Sequence, residues 1–177
     1  MAARELIERI DGLGFTALET TAYRHVSPGR NPRSGQGARI QGGRWNPPES
    51  FGTLYLGLSV ETVRAEFHRL AQKQGLRPED FIPRELHRFE VRLEQVLDLR
   101  RSAARQLVGL SDQELRSDDP RKCQLIGEAA HYLGLEAILA PSASDVGDVL
   151  AVFLDLLGPN SFVESAHMEI WRETPAR

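Results

Sequence analysis

Hydrophobic and polar positions follow both the period of strands and the period of helices along this chain. An apolar run bounded by Gly52 and Ser59 predicts a buried strand at Leu54–Leu58, and alternation predicts another at Ala22–Val26. Further strands are predicted at Glu85–Leu93, Val96–Leu99, Ala137–Leu139, Val149–Leu154 and Met168–Arg172. Helices are predicted at Ala2–Ile10, after Ser59, within Ser102–Ser117 and after Asp119–Pro120. Because these elements mix without regular strand–helix–strand alternation, the pattern predicts an α+β fold.

The helix after Ser59 has a clear buried side. Ser59 can cap its first turn, and Val60, Val63, Phe67 and Leu70 follow helical spacing. Glu66 stands at the edge of this apolar face, where a carboxylate can face a cleft beside the core. A surface role is the commoner one for a helical glutamate, so spacing alone does not assign it a function.

Composition predicts one globular domain over residues 1–177, because 41% of residues are hydrophobic and 27% are charged. A formal net charge of −3 argues against direct nucleic-acid binding. Cys123 is the single cysteine and the five histidines are scattered, so no metal site is expected. No apolar run is long enough to span a membrane, and Met1–Phe15 is charged instead of resembling a signal core. We therefore expect a cytoplasmic protein.

A basic interval stands out between Glu19 and Glu49, which encloses no acidic residue. Arginine dominates there, and its planar fork suits bidentate phosphate recognition. The interval is either a solvated basic loop or an anion site. The glycines between Gly35 and Gly43 allow close backbone approach, but they match neither GxGxxG nor GxxxxGK[ST]. Phosphate binding at this interval would therefore depend on arginine side chains.

Four residues form a candidate reactive set: Arg44, Tyr55, Glu66 and Ser142. Cleavage of an N-glycosidic bond to a pyridinium ring develops positive charge on the sugar, which a nearby carboxylate stabilises. An arginine can hold a pyrophosphate or a ribose oxygen, and a tyrosine can orient the ring. Ser142 lies in no GxSxG elbow, so it is a weak candidate nucleophile. From the chemistry alone, this reaction is one proposal among several.

The segment GARIQGGRWNPPESFGTLYLGLSVETVRAEF resembles the core motif of the RES domain, the toxin of RES–Xre toxin–antitoxin systems. Arg44, Tyr55 and Glu66 match the family's arginine, tyrosine and glutamate, and Ser142 in APSAS matches its serine. Arg24, which follows Tyr23, matches an upstream arginine. The stretch DDPRKCQLIGEAAHYLG, with Gln124, resembles the helix before the serine strand. The resemblance covers roughly residues 22–156.

This resemblance implies an ADP-ribosyltransferase-like mixed sheet with flanking helices, and NAD as a substrate with no separate cofactor. It implies that Arg24 and Arg44 bind phosphates and ribose, that Tyr55 positions nicotinamide, and that Glu66 stabilises the transition state. Ser142 would hydrogen-bond the nicotinamide amide or the nearby ribose. Tyr23, Trp45, Asn46 and Gln124 are further expected substrate-binding residues. The resemblance also implies a protein antitoxin with an Xre-like, DNA-binding part.

Three readings stay open at this stage. The first is an NAD-degrading toxin that uses water or phosphate as acceptor, and the second is an ADP-ribosyltransferase that modifies a protein. The third is a nucleic-acid-binding module that uses the basic stretch between Arg24 and Arg44, against which the net charge argues. A homo-oligomer is possible under each reading.

Overall fold

The chain folds around a mixed six-stranded sheet in the computed structural model, which describes residues 2–176. The strands are β1 (Thr16–Val26), β2 (Thr53–Gly57), β3 (Arg84–Asp98), β4 (Ala137–Pro141), β5 (Asp148–Phe153) and β6 (Phe162–Trp171). The helices are α1 (Ala3–Leu13), α2 (Gln36–Gln41), α3 (Val60–Lys73), α4 (Ser102–Leu107), α5 (Asp112–Arg116) and α6 (Arg121–Tyr132). Short 3-10 turns cover Pro78–Phe81 and Leu154–Leu156. None of the helices in the described range is both long and apolar enough to cross a bilayer.

The sheet closes into a ring. Its order is β1-β2-β5-β4-β3-β6, and an additional β1–β3 pairing joins the two sides. The β3–β4 pair is parallel and the other pairs are antiparallel. The β1–β2 pairing consists of one residue pair, Tyr23 opposite Gly57, whereas β1 pairs with β3 along most of its length. The ring is therefore thinnest between β1 and β2.

Three apolar clusters surround this ring. The ring interior is filled by side chains such as Leu56, Phe89 and Leu139. A second cluster packs α1 and α6 against the outer face of the sheet and includes the buried Trp45. The third holds α3 through Val63 and Phe67. Because α3 is fixed in this way, its Glu66 side is held beside the thin part of the ring.

Most predicted elements are present, with two wrong boundaries in the sheet. Strand β1 begins at Thr16 instead of Ala22, because its polar residues pair with β3. The two predicted segments Glu85–Leu93 and Val96–Leu99 form one continuous strand, β3. Their polar junction does not turn, because the buried Glu136 carboxylate accepts the backbone N–H groups of Glu94 and Gln95. The carboxylate thus replaces pairing that a turn would otherwise provide.

Local signals fixed the helix starts better. Ser59 Oγ accepts the Thr62 N–H at 3.1 Å, as expected for an N-cap. Asp119 Oδ1 accepts the Arg121 N–H at 3.1 Å before α6. The glycine-containing segment before Gly42 was predicted only as a series of turns, but residues Gln36–Gln41 form α2. Leu70 was predicted to be buried, yet it is 37% exposed at the cleft described below.

Candidate active site

A cleft of about 490 Å³ opens beside the single β1–β2 residue pair. Strands β1 and β2, helix α3, the segment before β2 and the end of β4 contribute to its walls. Eight of the nine site residues predicted from the sequence line it: Tyr23, Arg24, Arg44, Trp45, Tyr55, Glu66, Gln124 and Ser142. The ninth, Asn46, is fully buried behind the wall. The fold therefore brings together residues that are up to 119 positions apart along the chain, from Tyr23 to Ser142.

Glu66 and Ser142 meet in this cleft. Ser142 Oγ donates to Glu66 Oε1 at 2.5 Å, and the Ser144 N–H donates to Ser142 Oγ at 3.0 Å. The Ser142 N–H is also held, because it donates to the Gly147 carbonyl at 2.9 Å. Within the described part of the chain, no other hydrogen-bond donor contacts the Glu66 carboxylate. One carboxylate oxygen is thus fixed and the other is free to accept a ligand hydroxyl.

The two predicted phosphate-binding arginines are held by backbone carbonyls. Arg44 Nη1 and Nη2 donate to the Leu115 and Ser117 carbonyls, at 2.8 and 2.9 Å. Arg24 Nη1 donates to the Pro32 and Ser34 carbonyls, at 2.8 and 2.9 Å.

Burial is the larger cause, and the charge of Arg84 the smaller one, that lowers the pKa of Arg24 to about 10. Arg24 and Arg44 are therefore half-buried in the cleft wall instead of lying in a solvated basic loop. This placement argues against a nucleic-acid-binding module built on them.

Tyr55 presents its ring to the cleft while its hydroxyl faces the protein. That hydroxyl donates to Asn46 Oδ1 at 2.7 Å and accepts the Trp45 N–H at 2.8 Å. Burial raises the pKa of Tyr55 above its ordinary value, so it stays protonated. Asn46 Nδ2 donates to the Ala38 carbonyl at 2.7 Å. Asn46 therefore fixes the loop and Tyr55, and it has no surface on the cleft.

Two glycines permit this close packing. A Cβ atom at Gly43 would lie 2.6 Å from atoms of the Tyr55 ring. A Cβ atom at Gly127 would overlap the carbonyl oxygen of Trp45, so α6 can approach the loop only with glycine there. Gln124, on the same helix, donates from Nε2 to the Gly43 carbonyl at 2.9 Å. Gln124 thus supports the cleft wall as well as lining it.

Four lining residues were not among the predicted site residues: His25, Arg69, Lys73 and Arg84. Arg69 and Lys73 lie three and seven residues after Glu66, a helical spacing that could have indicated them. Arg69 pairs with Asp118 at 3.0 Å. Arg84 follows the proline-rich connector, where no local sequence signal points to a distant cleft.

His25 and Arg84 form a pair in the cleft wall. Arg84 Nε donates to His25 Nδ1 at 3.0 Å. Burial, followed by the charges of Arg84 and Arg24, lowers the pKa of His25 to about 3. His25 is therefore neutral near pH 7 and acts here as an acceptor.

Other chemistries have less support. Within residues 2–176, no three histidine, cysteine, aspartate or glutamate side chains are placed to hold a metal ion. Cys123 is buried in the apolar cluster around α6, and burial raises the pKa of its thiol. A protonated thiol is a poor nucleophile.

Comparison with known proteins identifies the fold. The RES domain family matches residues 21–174. This chain belongs to the RES domain family. It is 37% identical over 150 residues to the NAD(+) phosphorylase MbcT of Mycobacterium tuberculosis, covering 84% of this chain and 81% of that protein. A probable NAD(+) phosphorylase of the same organism is 33% identical, covering 88% of this chain and 73% of that protein.

A solved structure supports the same assignment. The crystal structure of the M. tuberculosis MbcT–MbcA toxin–antitoxin complex contains a chain that superposes with a TM-score of 0.82 at 32% identity. The superposition covers 94% of both chains. The predicted family and the α+β fold with a mixed sheet are therefore confirmed.

Proposed function

We propose that this chain is a toxin that cleaves the nicotinamide–ribose bond of NAD and passes ADP-ribose to inorganic phosphate. The observation that carries the proposal is the hydrogen-bonded Glu66–Ser142 pair, which lies in a cleft lined by cationic and aromatic side chains. NAD combines an anionic pyrophosphate, ribose hydroxyls and a pyridinium ring, and the cleft offers a matching group for each. The names of MbcT and of the second mycobacterial relative favour NAD as the substrate.

Glu66 is the proposed electrostatic catalyst. As the bond to nicotinamide lengthens, positive charge develops on the ribose C1″ and its ring oxygen. A carboxylate that accepts a ribose hydroxyl beside this centre stabilises the charge most strongly in the transition state. Nicotinamide takes the bond electrons onto its ring nitrogen and leaves neutral, so no general acid is needed. Ser142 holds one oxygen of Glu66 and is a positioning residue in the described geometry.

The remaining predicted residues take binding roles in this proposal. Arg24 and Arg44 bind the pyrophosphate and ribose oxygens through guanidinium N–H groups that their backbone carbonyls leave free. The rings of Tyr23 and Tyr55 bind the flat nicotinamide end, since both line the cleft. Trp45 and Gln124 shape the wall, and Asn46 acts from behind it by holding Tyr55.

Phosphate is the proposed acceptor because both relatives are called phosphorylases. Water and a protein side chain would attack the same carbon, so hydrolysis and protein ADP-ribosylation are measured as competing products. No resident cofactor enters this chemistry, since NAD is consumed. A cytoplasmic location follows from this substrate as part of the proposal.

An antitoxin is the proposed partner, as in the MbcT–MbcA complex. A catalyst that depletes NAD must be restrained in the cell that makes it. The family implies that the antitoxin has an Xre-like, DNA-binding part, and we keep that feature and homo-oligomer formation as proposals. An antitoxin segment with a carboxylate end would match the arginines of the cleft.

The direct test incubates the purified protein with NAD, with and without inorganic phosphate, and separates the products by chromatography. We expect nicotinamide and ADP-ribose 1″-phosphate in phosphate, and much slower nicotinamide release without it. Free ADP-ribose as the main product in both buffers would indicate hydrolysis. No nicotinamide from folded protein in either buffer would refute the proposed reaction.

A further inference from the structure

The cleft carries more positive charge than NAD alone can neutralise. Five cationic side chains line it, and Glu66 is the one carboxylate among the lining residues: Arg24, Arg44, Arg69, Lys73 and Arg84 are the cations. Asp118 offsets Arg69 from outside the lining. The pyrophosphate of NAD is doubly negative, but the pyridinium offsets part of that charge. A second anion therefore fits the cleft when NAD is bound.

Arg84 is fixed without being neutralised. Its Nε donates to the neutral His25, and its Nη1 donates to Ser27 Oγ at 2.6 Å. Neither partner is a carboxylate, and within residues 2–176 Arg84 forms no ion pair. Its Nη2 donates to no group in that range. Keeping a half-buried guanidinium without a counter-charge costs free energy, which a bound anion offsets.

Lys73 is the second uncompensated cation on this side. It lies in the last turn of α3, seven residues after Glu66, and so about two turns along a similar helical face. Phe67, between them on α3, contacts the ring of His25 at a centroid distance of 5.3 Å, which places the His25–Arg84 pair toward the end of this helix. Lys73 is exposed and forms no ion pair within the described residues. It can therefore meet an anion that enters from solvent.

We propose that Arg84 and Lys73 form a second oxyanion subsite, separate from the pyrophosphate contacts of Arg44, which binds the inorganic phosphate that accepts ADP-ribose. This inference rests on the proposed function and adds to it the binding place of the second substrate. Arg24 lies between the two groups, because its charge and that of Arg84 both act on His25. It can contact either anion.

The reaction balances with these groups in place. An oxygen lone pair of hydrogen phosphate forms the bond to C1″ of the ribose, and the bond from C1″ to the nicotinamide nitrogen breaks. Its electron pair neutralises the pyridinium, and the phosphate keeps its proton as the monoester forms. Arg84 and Lys73 hold the incoming phosphate and transfer no proton.

The subsite is tested by binding of inorganic phosphate to protein that carries Glu66→Gln, so that NAD can be present without turnover. Calorimetry measures phosphate affinity in this background and after adding Lys73→Met, Arg84→Gln or Arg84→Lys. Arg88→Gln is the matched control, since Arg88 is half-exposed on β3 and pairs with Glu90 away from the cleft. Circular dichroism checks that each variant is folded.

We expect Lys73→Met and Arg84→Gln each to weaken phosphate binding roughly tenfold, the loss typical of one charge-assisted contact. Arg84→Lys should recover part of the loss, and Arg88→Gln should have no effect. Saturating NAD should leave phosphate bound. Unchanged affinity in both folded variants, or displacement of phosphate by NAD, would overturn the second subsite.

Two further arms separate this result from related ones. If NADP displaces phosphate and NAD does not, the subsite takes the 2′-phosphate of the dinucleotide, which refutes its acceptor role. With active protein, Lys73→Met should raise the KM for phosphate about tenfold and change the KM for NAD less than about twofold. Failure of the proposed function shows as no nicotinamide release, whereas failure of this inference shows as release with an unchanged phosphate KM.

Discussion

Ser142 Oγ donates a hydrogen bond to Glu66 Oε1, and this contact joins the loop after β4 to the middle of α3. The two residues are 76 positions apart in the chain. The contact fixes the rotation of the carboxylate and leaves its second oxygen without a donor in the described residues. A single side chain thus sets the direction in which Glu66 faces the cleft.

Replacement of Glu66 by glutamine should remove most NAD cleavage and leave the fold intact. The amide keeps the shape of the side chain but loses the charge that stabilises the transition state, so nicotinamide release should fall roughly 10²–10³-fold. Release is measured by chromatography and stability by thermal unfolding. Glu61→Gln is the control, because Glu61 is exposed on the same helix and does not line the cleft. Near-normal release from folded Glu66→Gln protein would remove Glu66 from the mechanism.

Replacement of Arg44 by lysine should not be conservative. The planar fork donates to two carbonyls at the end of α5, and an ammonium group cannot reproduce that geometry. We expect nicotinamide release to fall at least tenfold and stability to fall by about 1 kcal/mol. Arg39→Lys, at an exposed position on α2, is the control. If Arg44→Lys and Arg44→Ala both retain normal turnover, Arg44 has no role in catalysis.

Replacement of Gly43 by alanine should displace Tyr55. The new methyl group would lie 2.6 Å from ring atoms of Tyr55, and overpacking of this kind costs roughly 1–3 kcal/mol. We expect a lower melting temperature and a higher KM for NAD. Gly37→Ala offers a matched comparison, because nothing lies within 4 Å of its added methyl and alanine favours the α2 helix. Equal melting temperatures for the two variants would show that Tyr55 can move without cost.

Acid should destabilise the fold through His25. Burial, then Arg84 and Arg24, lowers its folded-state pKa to about 3, while the unfolded chain keeps the ordinary value of 6.5. Between these values the unfolded state binds more protons, so the His25 contribution is complete above pH 6.5 and is lost as pH falls. At pH 5 the loss is about 2 kcal/mol. Thermal unfolding of wild type and His25→Asn from pH 7 to 5 should show a smaller decline in the variant, and parallel declines would contradict this assignment.

An antitoxin should compete with NAD for the cleft. Affinity of the inactive Glu66→Ala protein for the product of the neighbouring gene is measured with and without NAD. We expect NAD and added salt each to weaken binding, since the arginines would serve both ligands. Expression of the active chain alone should arrest growth, and the Glu66→Ala chain should not. Unchanged antitoxin affinity at saturating NAD would place its interface elsewhere.

The sequence was informative where one local contact decides the structure. Ser59 capped α3 as expected, and helical spacing placed Glu66 at the side of the apolar face that meets the cleft. It was less informative where the deciding partner is distant. The continuity of β3 depends on Glu136, which lies about forty residues further along the chain. No pattern within β3 announces such a partner.

The same distinction applies to the candidate site. The motif around Arg44 and Glu66 identified most of the lining, but it did not show that the Tyr55 hydroxyl and Asn46 face the protein. Direction of a side chain depends on packing between loops, which the linear spacing does not encode. Arg84 was missed for the related reason that β1 and β3 bring it to His25 through pairing across the sheet.

The backbone carbonyls that hold Arg24 and Arg44 have a consequence for the entropy of binding. Free arginine side chains carry about 2 kcal/mol of rotamer entropy, part of which a ligand must remove when it orders them. Here the fold has already ordered both guanidinium groups through contacts with Pro32, Ser34, Leu115 and Ser117. A ligand therefore meets a rigid array of donors, and rigid analogues of the dinucleotide should lose less affinity to ordering than they would at a flexible surface.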